Sequence, residues 1–60
     1  MLHIYTEQEL EENRIKLIEM IDLSWNNKMF FWNVSYDESK GYIQYRNEIF
    51  NIAKEIGYIK

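Results

Sequence analysis

Cysteine and proline are absent from the 60 residues, histidine occurs once and glycine twice. Without cysteine there is no disulfide to fasten a small chain and no thiolate to act as nucleophile. A zinc site is not expected either, because with one imidazole the usual set of several nitrogen and sulfur ligands is lacking. Without proline, and with only Gly41 and Gly57, little punctuates the chain, which favours few and long elements. No segment approaches the ~18 consecutive apolar residues of a membrane span, and the first residues lack the basic start and apolar run of a leader; a cytoplasmic protein is expected. The formal charge of -3 gives no general attraction to nucleic acid or anionic lipid.

Apolar and aromatic surface is what the chain has. Hydrophobic residues make up 47% and aromatics 17%, too much for a disordered segment. The aromatics concentrate in residues 25–36, which hold both tryptophans together with Phe30, Phe31 and Tyr36. A chain this short has little interior, and without a disulfide or metal it must draw stability from dense helix packing or a second subunit.

Helix entry is marked at Thr6, whose hydroxyl can cap the first turn while Glu9 returns the bond, with Tyr5 and Leu10 as a hydrophobic staple across the start. Glu7, Glu9, Glu11 and Glu12 match the helix dipole there. From Leu10 the apolar residues Leu17, Ile18, Ile21 and Trp25 recur on one face, and Met29 and Trp32 continue it at the next turns. The spacing predicts one helix over residues 7–32. Two features compete: Asn26 and Asn27 can break it, and Phe30, Trp32, Val34 and Tyr36 alternate as a half-buried strand does.

Ser35 and Glu38 form a second capping-box pattern, which favours the helical reading, with Asn33 as the stop and a short loop at residues 33–35. A second helix then covers residues 36–56, with Tyr42, Tyr45, Ile49, Ile52, Ala53 and Ile56 as its stripe, and Gly57 followed by Tyr58 as a Schellman ending. The expected architecture is all-α: one small helical domain over residues 1–60, an antiparallel helical hairpin that dimerises into a bundle. Leu10, Leu17, Ile18, Ile21, Trp25, Met29, Trp32, Tyr45, Ile49, Ile52 and Ile56 are expected inside.

Chemistry-bearing groups are few. His3 stands near the terminus, and Glu19 and Asp22, one turn apart, read as solvated charge before they read as metal ligands. There is no phosphate-binding glycine loop and no nucleophile with a base, so no enzyme and no cofactor or metal is expected. Phe30 and Phe31 fall off the stripe of the first helix, and with Tyr36 they are the candidate partner-binding residues at the bend. The expected function is a small protein-binding regulator, an adaptor or inhibitor docking on a larger protein. The alternative is a nucleic-acid-associated regulator that stacks bases on the aromatics of residues 25–36, although the seven basic residues are scattered where phosphates want a stripe.

Overall fold

The computed structural model describes residues 4–60, so His3 lies outside the described residues. Two helices contact each other, α1 (Glu7–Asn26) and α2 (Gly41–Glu55), and no strand occurs among the described residues. Their pairings run in opposite directions: Glu7 meets Lys60 and Asn13 meets Tyr58 at one end, while Ser24 meets Tyr45 and Asp22 meets Tyr42 at the other. The helices are therefore antiparallel.

The start of α1 is as its sequence dictates. Thr6 Oγ1 accepts from the Glu9 amide at 3.1 Å, and Glu9 Oε1 accepts from the Thr6 amide at 2.9 Å, closing the capping box. Its end is earlier than the continuous stripe implies. The Met29 amide bonds to Ser24 carbonyl (2.9 Å) and the Lys28 amide to Trp25 carbonyl (3.1 Å), a Schellman ending with Lys28 at the left-handed position, φ 56°. Asn27 Nδ2 adds a bond to the Leu23 carbonyl at 2.7 Å. The Asn26 and Asn27 break, not the apolar period, terminates α1.

Residues 27–40 are then neither a short loop nor helix. Phe31 and Val34 exchange both backbone bonds (3.1 and 2.9 Å) across a two-residue turn in which Trp32 and Asn33 both have positive φ, 50° and 65°. This is the geometry of the type I′ turn, which matches strand twist and suits asparagine; tryptophan has no such excuse and its backbone costs about 1 kcal/mol there. The alternating pattern is thus expressed as one isolated bridge. The segment folds back over the helix pair: Val34 is buried in the core, Phe31 and Trp32 pack against it, and Trp32 reaches Tyr58, beyond the far end of α2.

Because the chain runs extended from Val34 to bring Tyr36 onto Trp25, Ser35 is exposed and caps nothing. Asp37 instead organises the approach to α2, accepting from the Ser39 amide (3.0 Å) and hydroxyl (2.7 Å). Lys40 occupies the cap position without a side-chain capping bond, and Gly41 at φ 83° turns the chain into the helix. The C-terminus of α2 is the expected Schellman motif: the Tyr58 amide bonds to Ala53 carbonyl (2.8 Å) and the Gly57 amide to Lys54 carbonyl (3.2 Å), with Gly57 at φ 81°.

Leu17, Ile21, Val34, Tyr45, Ile49, Ala53 and Ile59 form the buried core. Each fully buried aliphatic side chain contributes about 2 kcal/mol. The seam on α1 is turned from the expected face toward Asn13 and Ser24, both buried, so Ile18 and Trp25 are only half-buried and Met29 is 55% exposed. Polar residues are tolerated inside because each has a partner: Asn13 Nδ2 donates to Tyr58 carbonyl at 3.0 Å, and Ser24 Oγ lies 3.1 Å from Ile21 carbonyl and 2.9 Å from the Tyr45 hydroxyl. Leu10, Trp32 and Ile52 are likewise half-buried where full burial is expected. Ile56 is 51% exposed, since the turn at Gly57 sends Ile59 into the core in its place.

Candidate binding surface at the bend

Two aromatic clusters hold the bend. Trp25 is the centre of the first, with ring centroids 4.5 Å from Tyr36, 5.2 Å from Tyr45 and 5.8 Å from Tyr42. The second runs Phe31, Trp32, Tyr58, Tyr5, with successive centroids 4.9, 5.8 and 5.7 Å apart, the last two pairs edge to face. The edge-to-face pairs suit the ring quadrupoles and the others meet at a tilt, so both clusters fix the segment against the helices.

Tyr45 joins the clusters to the backbone. Its buried hydroxyl donates to the Met29 carbonyl at 3.0 Å and lies 2.9 Å from Ser24 Oγ. Nearby, the Tyr42 hydroxyl donates to Asp22; desolvation first, and that carboxylate second, raise the Tyr42 pKa above its ordinary value. Asp22 is thereby engaged in a contact between helices. The Ser39 hydroxyl, and after it the Ser39 amide, hold the Asp37 carboxyl below its usual range. Among the described residues no group of three or more His, Asp or Glu side chains is placed to hold a metal ion.

The three candidate residues separate. Phe30 is 74% exposed and its chain neighbour Met29 55%. Phe31 and Tyr36 are half-buried, Phe31 against the core and Tyr36 on Trp25. Phe30 and Tyr36 share the wall of a shallow hollow of about 130 Å³ completed by Lys28 and Ser35. Met29 and Lys28 are what the sequence reading leaves out of this surface; had α1 been ended at Asn27, Met29 would leave the stripe and both would fall at the bend. A larger open groove of about 350 Å³ lies at the opposite end, between Ile4, Tyr5 and Leu10 on one side and Lys54 to Gly57 on the other.

Charge at the bend is mixed. Lys28 faces the hollow, Asp37 and Glu38 follow closely, and Lys40 is paired with Glu48 at 3.4 Å. Arg46 lies over the Phe50 ring, 4.9 Å from its centroid. No helix among the described residues is long and apolar enough to cross a membrane. No family model matches the chain, and no curated protein or solved structure is detectably similar to it.

Proposed function

We propose that the chain is a small non-enzymatic protein-binding regulator of the cytoplasm, an adaptor or inhibitor, and that its partner surface centres on Phe30 at the bend. The observation that carries this reading is the exposure of Phe30 and Met29, two large apolar residues adjacent in the chain, with Tyr36 and Lys28 beside Phe30 around a shallow hollow. Aromatic and methionine side chains are enriched in the cores of protein interfaces. The mixed charge of the bend gives less support to base stacking, which needs a basic track for the phosphates.

A two-fold dimer belongs to the same proposal. Ile15, Leu23 and Ile43 join Phe30 among the exposed large apolar residues, more than scattered surface hydrophobics require in 60 residues. Phe30→Ser is the direct test, because it removes an exposed ring and leaves the core untouched. Purified chain and variant are used to capture partners from lysate treated with nuclease. A specific protein retained by the wild type and lost by the variant, at unchanged thermal midpoint, supports the reading; retention by both, or capture abolished by nuclease, refutes it.

A further inference from the structure

Both helices end in the same motif, and they fill its left-handed position differently. α2 uses Gly57 at φ 81°, the residue that position normally takes, whereas α1 uses Lys28 at φ 56° and carries the backbone strain of a side chain there. What glycine could not have supplied at that point is the side chain itself. Lys28 lines the hollow of about 130 Å³ at the bend together with Phe30, Ser35 and Tyr36. Among the described residues its ammonium forms no ion pair or hydrogen bond, and neither do the hydroxyls of Ser35 and Tyr36. The neighbouring charges are mostly engaged: Lys40 with Glu48, Arg46 over Phe50, Asp37 with Ser39 and Asp22 with Tyr42. Glu38 is exposed and does not line the hollow.

We propose that this hollow receives an acidic side chain, a glutamate or aspartate, which the partner protein presents beside an apolar residue. The inference rests on the partner surface proposed above and names the chemistry that surface reads. Charge selects the ligand. An ammonium and two hydroxyls, all free to donate, suit a carboxylate, which only accepts, and the flexible four-carbon stem of Lys28 lets its ammonium swing over a hollow that the residue itself lines. Size selects the source. Sites for free small molecules span roughly 300–1,000 Å³, so about 130 Å³ admits one side chain of a larger molecule and is too small for a base with its sugar and phosphate. Phe30, exposed on the rim, then covers the apolar neighbour of that side chain. The net charge of -3 gives no general attraction to an acidic partner, so recognition depends on this local pairing and not on long-range steering.

Three end-capped tripeptides, with glutamate, glutamine or lysine between two leucines, are titrated into the isotope-labelled chain and followed by NMR. The glutamate peptide should shift the Lys28, Phe30 and Tyr36 resonances saturably, about two- to fivefold tighter than the glutamine peptide, the range of an exposed ion pair, with the lysine peptide weakest. Lys28→Met should bring the glutamate and glutamine peptides to equal affinity, and Lys28→Arg should restore the difference. Equal affinity of the two peptides for the wild type, shifts that map away from the hollow, or no saturable shift overturns the proposal. So does an oligothymidylate that moves the same resonances at lower concentration than the glutamate peptide, which would assign the hollow to nucleic acid. A charge kept only to complement the dipole of α1 would change the thermal midpoint of Lys28→Met and leave the preference for glutamate intact, which also overturns the proposal. If Lys28→Met fails to fold, the comparison of peptides on the wild type decides. The lysate capture separates the two readings: a protein lost by Phe30→Ser but retained by Lys28→Met leaves the partner surface standing and overturns the acidic ligand, whereas one retained by Phe30→Ser refutes the partner surface and leaves the titration to decide the hollow.

Discussion

Removing the Tyr45 hydroxyl tests how the folded-back segment is held. Three contacts meet at the Ser24 and Tyr45 oxygens: Ser24 to Ile21 carbonyl at 3.1 Å, Ser24 to Tyr45 at 2.9 Å, and Tyr45 to Met29 carbonyl at 3.0 Å. Two hydroxyls bring only two protons, so at most two of the three are hydrogen bonds at any instant. With the Tyr45 proton on Met29, the Ser24 proton serves either Ile21 or Tyr45. Tyr45→Phe keeps the ring and its contact with Trp25, removes the bond to Met29, and leaves Ser24 free to donate to Ile21. The net loss is one buried bond with a partly solvated carbonyl left over, about 1–2 kcal/mol. For a domain of this size that lowers the thermal midpoint by roughly 5–15 °C. Ser24→Ala should cost about 1 kcal/mol or less, since Tyr45 still donates to Met29, and the double variant, which removes both protons, should lose about the sum of the two. Urea denaturation followed by tryptophan fluorescence and circular dichroism measures all three. A Tyr45→Phe chain as stable as wild type would show that the hydroxyl does not hold the segment, and a double variant that loses clearly less than the sum would show that the two protons do not hold two separate bonds.

Four further outcomes follow from local geometry. Thr6→Ala removes the acceptor of the Glu9 amide and should destabilise by about 1 kcal/mol, whereas Ser35→Ala, which caps nothing, should be neutral in the same denaturation experiment. Lys28→Gly and Gly57→Ala should act in opposite directions, each by about 1 kcal/mol, because both residues occupy the left-handed position of a Schellman ending and space around Gly57 is open, leaving backbone strain as the only cost. Tyr42 should ionise above the ordinary tyrosine range in an ultraviolet titration; its raised folded pKa means a stabilising contribution that is complete below the unfolded pKa and lost as pH rises through the folded one, and Asp22→Asn should bring the titration down. Asp37 is the converse: its lowered pKa gives a contribution present above the unfolded value and lost as pH falls through the folded one, and Ser39→Ala should raise that pKa in a carbon-13 NMR titration.

The ends of the helices were legible wherever one residue type has one reason to be there. Thr6 with Glu9 and Gly57 with Tyr58 behave as their spacing says, because a cap or a left-handed glycine is decided within five residues of chain. The all-helical class and the contact between two helices were legible for a related reason, the scarcity of breakers. The middle was not. Residues 27–40 carry both a helical and an alternating period, and the choice between them depends on what lies under the segment, which is the groove formed by residues tens of positions away. Ser24 and Asn13 could not be placed inside from their type, since a buried serine or asparagine is admitted only by a partner such as Tyr45 hydroxyl or Tyr58 carbonyl that the fold supplies.

The same ambiguity bears on the candidate site. Phe30 is exposed because Phe31 is drawn inward: once Phe31 and Val34 close the bridge and point at the core, the residue beside Phe31 on an extended chain must face the other way. Exposure of Phe30 is thus a consequence of the folded-back conformation and not of its own chemistry. In the continuous helix that the spacing predicts, Phe30 and Phe31 would also diverge, by about 100° and not by half a turn, so Phe30 falls off the stripe under that reading too, although for a different geometric reason.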